Sequence, residues 1–162
     1  MTVAQAIQDG FRKALTFSGR SRRPEYWLFF AFVFGGAGVL GALELAIGGT
    51  TGGVLLRAFQ IIVFLPFLAV GWRRLQDTGR PGWFLLVPAA IVVASTFVSG
   101  SVFQQMISLV LSPFGLAVRG GPGGLVGVMS LVQVLAGLVI VFWMSRPSQR
   151  GPNAYGPEPR VH

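Results

Sequence analysis

Four stretches of this chain stay apolar for about the 20 residues that a helix needs to cross a bilayer. They run from Tyr26 to Ile47, Val54 to Trp72, Trp83 to Phe103 and Leu125 to Met144, and the only charges inside them are Glu44 and Arg57. A soluble domain of 162 residues has too little interior to hide so much apolar surface. Charged residues make up 11% of the chain, against about 25% in a typical soluble domain. The mean hydropathy of +0.67 excludes disorder and argues against an ordinary water-soluble enzyme. The expected fold is an all-α integral membrane protein with four transmembrane helices in one membrane domain, residues 1–162.

The few charges are lopsided. Thirteen Lys and Arg face five Asp and Glu, a net of +8. Four spans with a cytoplasmic N-terminus put Arg12, Lys13, Arg20, Arg22, Arg23, Arg73, Arg74, Arg80, Arg146, Arg150 and Arg160 on the inner side, leaving Arg57 and Arg119 outside. A fifth span would carry Arg146, Arg150 and Arg160 outward. Both termini are therefore expected in the cytoplasm, with 145–162 as a cytoplasmic tail. Residues 104–118 carry Gln104, Gln105, Ser108 and Ser112 on one helical face, which suits an outer interfacial or re-entrant helix. Trp27, Trp72, Trp83 and Trp143 fall at the predicted cytoplasmic helix ends, where indoles sit at headgroup level. The first 25 residues hold seven charges and no apolar core, so an uncleaved first span is expected rather than a removable leader.

Local signals refine this plan. Val3, Ile7, Phe11 and Leu15 recur every four residues, predicting an amphipathic helix over 1–17 that either lies on the inner leaflet or packs against the bundle. The glycine-rich run 48–53 predicts a tight turn and an antiparallel pairing of the first two spans. Pro66 and Pro88 fall within spans, where proline commonly kinks a helix. Ala31/Gly35, Ala37/Gly41, Gly38/Ala42 and Gly123/Gly127 have the four-residue spacing that lets helices approach closely.

Three polar motifs fall on the predicted inner face. FSGRSRRPEYW, 17–27, is a basic turn leading into the first span, with Pro24 and Glu25 suited to a helix start. WRRLQDTGRPGW, 72–83, joins the second and third spans, and RGPNAYGPEP, 150–159, forms a Pro/Gly-rich tail. This combination resembles the bacterial inner-membrane family known as domain of unknown function 805. The resemblance rests on Phe17, Gly19, Arg20, Arg22, Arg23 and Trp27, on Arg73, Arg74, Leu75, Asp77, Thr78, Gly79 and Trp83, and on Asn153, Tyr155 and Gly156. It brackets the whole chain and implies a multispanning protein of the bacterial inner membrane, with no established activity. Gln76 stands where relatives often have His, and Ala154 where a basic residue is common.

Arg20, Arg22, Arg23, Arg73, Arg74, Asp77 and Arg80 form a candidate anion or headgroup cluster, since guanidinium forks suit phosphate geometry. The alternative for Asp77 is structural: it neutralises neighbouring Arg and closes its loop through an Asx-type turn toward Gly79. Asn153 and Tyr155 are a candidate lock that docks the tail onto the Arg loops. Glu44 and Arg57, flanking the glycine turn, are a candidate outer ion pair. There is no Cys, the only His is His162, and no phosphate-loop, zinc or nucleophile-elbow motif occurs, so no catalytic, metal or cofactor site is expected. The expected partners are the lipid bilayer and its anionic phospholipid headgroups, with a second copy or another membrane protein as an alternative. Nucleic acid is not expected, because the aromatics belong to the membrane belt. Two rival readings stay open: a small transporter or channel component, and a membrane enzyme acting on a phosphorylated lipid through Asp77.

Overall fold

A computed structural model describes residues 2–47, 53–99 and 125–159. Among the described residues the chain is helical and has no strand: α1 (Val3–Arg12), α2 (Arg23–Ala46), α3 (Val54–Asp77), a 3-10 turn at Gly82–Leu85, α4 (Leu86–Ser99) and α5 (Leu125–Ser145). The segment 104–118, the turn residues 48–52 and Gly123 lie outside this description.

The chain forms two compact units. One comprises Met1–Leu85 and Met144–His162, the other Leu86–Trp143. In the first, α2 and α3 pack as a pair, and α1 rests on both. Each of α2 and α3 has 24 residues, about 36 Å of helix against a hydrocarbon core of about 30 Å. Both are long and apolar enough to cross a membrane. Their outward residues are apolar too: Val39, Leu45, Ile61 and Ile62 are all more than 60% exposed, a pattern that suits lipid and not water.

The interior of this unit is aromatic. Phe29 is fully buried and stacks on Phe67 at 6.4 Å, while Tyr26 stacks on Phe67 at 5.9 Å. Phe32 meets Phe59 edge-on across the two helices. Such pairs contribute about 0.5–1.5 kcal/mol each beyond simple burial. Gly36 leaves room for α3, since a Cβ there would stand 2.7 Å from the Phe59 ring. Of the expected small-residue pairs, Ala37/Gly41 faces the interior, whereas Ala31 and Gly35 are exposed.

Helix α1 starts at a reciprocal cap, with Thr2 Oγ1 accepting from Gln5 N and Gln5 Oε1 accepting from Thr2 N. It is shorter than the expected 1–17 and ends at Lys13. The residues beyond it are drawn away by the basic motif, whose Ser21 N donates to Arg73 O at 3.2 Å. Ala6 and Gly10 provide its buried side, and a Cβ at Gly10 would stand 2.3 Å from Phe29. Phe11 meets Phe29 and Phe32 edge-on, but Val3 and Leu15 are 50% and 76% exposed.

Helix α2 begins at Arg23, with Pro24 in its first turn and Glu25 accepting from Arg22 N. Helix α3 runs through Pro66 and continues past Trp72 to Asp77, adding the turn Arg73–Asp77 to the expected span. The second unit holds α4, with Pro88 in its first turn, and most of α5. On α5, Leu131, Leu135, Leu138 and Phe142 are exposed, whereas Gln133 is buried.

Candidate functional site

The last turn of α3 ends in a Schellman motif. Arg80 N donates to Leu75 O and Gly79 N to Gln76 O, while Gly79 takes φ +80°. Only glycine enters that left-handed conformation without strain. Thr78 Oγ1 adds a bond to Leu75 O at 2.7 Å. The turn closes by backbone bonds of this motif, and not by the expected Asx-type turn from Asp77, because the Asp77 carboxylate is engaged elsewhere.

Asp77 is fully buried and both of its oxygens are in ion pairs. Arg20 Nε donates to Oδ1 at 2.9 Å, and Arg74 Nη1 donates to Oδ2. The two guanidinium groups spend their other donors on the tail. Arg20 Nη1 donates to Gly151 O at 2.6 Å and its Nη2 to Gln149 O. Arg74 donates through Nε to Met144 O at 3.1 Å, through Nη1 to Ser148 Oγ, and through Nη2 to Arg146 O. Gln149 N returns a bond to Asp77 O at 2.9 Å. One carboxylate and two arginines thus tie together the segment before α2, the end of α3 and the chain after α5. Burial of three charges is tolerable because nearly every donor and acceptor is matched.

The tail completes the arrangement. Asn153 Nδ2 donates to Gln76 O at 2.9 Å and approaches Gln149 Oε1, while Asn153 Oδ1 accepts from Tyr155 N. Asn153 and Gly156 pair through their backbones. Asn153 therefore makes the docking bond, whereas Tyr155 contributes its backbone N–H. The edges of the site are packed by Phe17 against Trp72 at 5.5 Å and by Gly82, where a Cβ would stand 2.2 Å from the Trp72 ring.

The rest of the expected cluster is spread around this knot. Arg23 is exposed and donates to Arg146 O. Arg80 is half-buried beyond the Schellman turn. Arg73 is 3% exposed, with Nη1 3.4 Å from Lys13 O, while its Nε and Nη2 have no hydrogen-bond partner among the described residues. Arg22 Nη2 and the Ser21 hydroxyl are likewise buried without a partner.

At the far end of α2 the expected ion pair is replaced by a cap. Glu44 Oε1 accepts from Leu55 N at 2.8 Å and Leu56 N at 3.3 Å. The first amides of α3 have no partner within their own helix, and a carboxylate there also meets the positive end of the helix dipole. Glu44 makes these bonds instead of an ion pair with Arg57. Gln133, absent from every motif, is buried on α5 with neither amide atom bonded among the described residues. Among those residues no group of three His, Cys, Asp or Glu could hold a metal ion.

The family model for Protein of unknown function (DUF805) matches residues 14–157. Inner membrane protein YhaH of Escherichia coli K12 is 42% identical over 74 residues, covering 44% of this chain and 61% of that protein. Inner membrane protein YhaI of the same strain is 39% identical over 71 residues, covering 43% of this chain and 59% of that protein. The chain thus spans about three fifths of the length of the curated relatives it matches. No solved structure matches it.

Proposed function

The chain belongs to the family of proteins of unknown function DUF805, and on that footing we propose that it is a four-span inner-membrane protein whose basic cap, on the cytoplasmic side with both termini, holds anionic lipid headgroups. The four-span reading is supported by the return of the chain to one place. Asp77, at the end of α3, and Gln149, beyond α5, are hydrogen-bonded to each other. On this reading the chain between them crosses the bilayer an even number of times, as the two spans expected at 83–103 and 125–144 would and three would not.

One observation carries the headgroup reading. The knot neutralises Asp77 internally with Arg20 and Arg74, while Arg12, Lys13, Arg23 and Arg150 of the same unit remain exposed. Leu15, two residues beyond Lys13, exposes an apolar side chain, a composition suited to the headgroup boundary. An enzyme using Asp77 as acid or base is disfavoured, because both carboxylate oxygens are occupied and buried. Gln133 is the observation that favours transport, and one buried amide does not make a path.

Native mass spectrometry of the purified full chain tests the reading. Each basic residue near an anionic surface contributes on the order of 1 kcal/mol. The combined Arg12→Gln, Lys13→Gln and Arg150→Gln variant is therefore expected to lose about tenfold or more of its preference for phosphatidylglycerol over phosphatidylcholine. An unchanged preference would sink the surface reading.

A further inference from the structure

Beside the knot, the start of α2 and the last turn of α3 hold a second polar group whose chemistry is one-sided. Arg73 is buried, and two of its three nitrogens have no partner among the described residues; the third makes one long contact to Lys13 O. Asp9 and Glu25 act on Arg73 electrostatically, yet neither pairs with it within 4.0 Å. Glu25 turns instead to Arg22 N. Ser21 is bound to Arg73 through the main chain, is fully buried, and has an unpartnered hydroxyl. Its neighbour Arg22 has a buried, unpartnered Nη2.

A buried guanidinium with neither a carboxylate nor a full set of acceptors is costly. The unmatched groups of Arg73, Arg22 and Ser21 are guanidinium donors and a hydroxyl that can donate. Water can accept from these donors but leaves the buried positive charge uncompensated, whereas an oxyanion does both. Gln76 Oε1, one turn along α3, is a buried acceptor without a partner, but a neutral amide oxygen does not offset the guanidinium charge. The positive end of the 24-residue α2 dipole lies at the same place. Arg12, Lys13, Arg22 and Arg73 outnumber Asp9 and Glu25, so the local charge is positive.

We propose that Arg73, Arg22 and Ser21 form a buried site for one phosphate-type oxyanion, either the phosphate of a lipid headgroup or free phosphate. In its lipid form this rests on the headgroup reading above and narrows it to a single phosphate; in its free-phosphate form it stands alone.

The test is native mass spectrometry and calorimetric titration of the full chain in detergent, with inorganic phosphate, phosphatidylglycerol, and a neutral glycolipid of the same acyl chains. Arg73→Lys keeps the charge and removes the fork, so it should weaken retention of the phosphate-bearing probe about tenfold. Ser21→Ala, a small change that leaves the charges alone, should weaken it several-fold. Inorganic phosphate binding lost in these variants identifies free phosphate as a ligand; phosphatidylglycerol retention alone, lost in the same way, identifies the headgroup. Two results overturn the site: no retention of either phosphate probe above the glycolipid, or retention unchanged in a folded Ser21→Ala chain. Loss confined to the Arg12, Lys13 and Arg150 variant would leave the surface reading standing and remove this site. Loss confined to the Arg73 and Ser21 variants would do the reverse.

Discussion

Asp77 is the residue on which the site's geometry turns. Its carboxylate receives Arg20 and Arg74 while its carbonyl receives Gln149 N. Removing the charge would strand two buried guanidinium groups, and breaking a buried pair from one side costs about 3–5 kcal/mol. Asp77→Asn is therefore expected to lower thermal stability in detergent by about that amount, a larger loss than from changing an exposed arginine such as Arg12. Arg20→Ala should act on the tail, because Arg20 holds both Gly151 O and Gln149 O. Trypsin should then cut after Arg150, in the Arg150–Gly151 bond, several-fold faster than in the unaltered chain. Equal cleavage rates would show that Arg74, Asn153 and Gln149 hold the tail without Arg20. The residue types of this knot are legible in the sequence, since a lone acid among arginines is expected to be neutralised. Its connectivity is not, because most of the partners are backbone carbonyls, which any residue could supply. Glu44 illustrates the same limit: its spacing from Arg57 suggests an ion pair, but the bare amides of α3 take the carboxylate.

At the scale of elements, hydropathy locates the long helices and misjudges where they stop. The apolar run of α3 ends at Trp72, yet the helix continues through Arg73, Arg74, Gln76 and Asp77. Tertiary bonds accept the charges of Arg74 and Asp77, and a hydropathy window cannot register them. Helix α1 shows the converse. Its Val3/Leu15 stripe suggests the buried face, but Ala6 and Gly10 pack inward because Phe29 fills the space beside them. Gly10→Leu should therefore push α1 off α2, with Phe11 losing its edge-on contacts. Hydrogen exchange over 3–12 should rise by at least about an order of magnitude, as expected when local opening dominates. Val3→Ser, on the exposed side, should leave exchange near its original rate. Likewise Gly82→Val should destabilise the 3-10 turn by collision with Trp72, measurable as loss of protection over 82–85.

For the whole molecule, the sparse and mostly positive charge has a consistent source. Two long apolar helices carry none of it at mid-length, and their basic ends gather at one place with the chain after α5. The family match and the inner membrane relatives agree with a membrane setting. Composition and the long apolar runs make that setting legible without coordinates, whereas the tying of three distant segments through Asp77 required them. The most direct test of the account is its sidedness. Reporter fusions after Arg80 and after Glu158, one reporter active only in the cytoplasm and the other only in the periplasm, should both report the cytoplasm, as should a fusion at the N-terminus. A periplasmic signal from the fusion after Glu158, with the fusion after Arg80 cytoplasmic, would contradict the account.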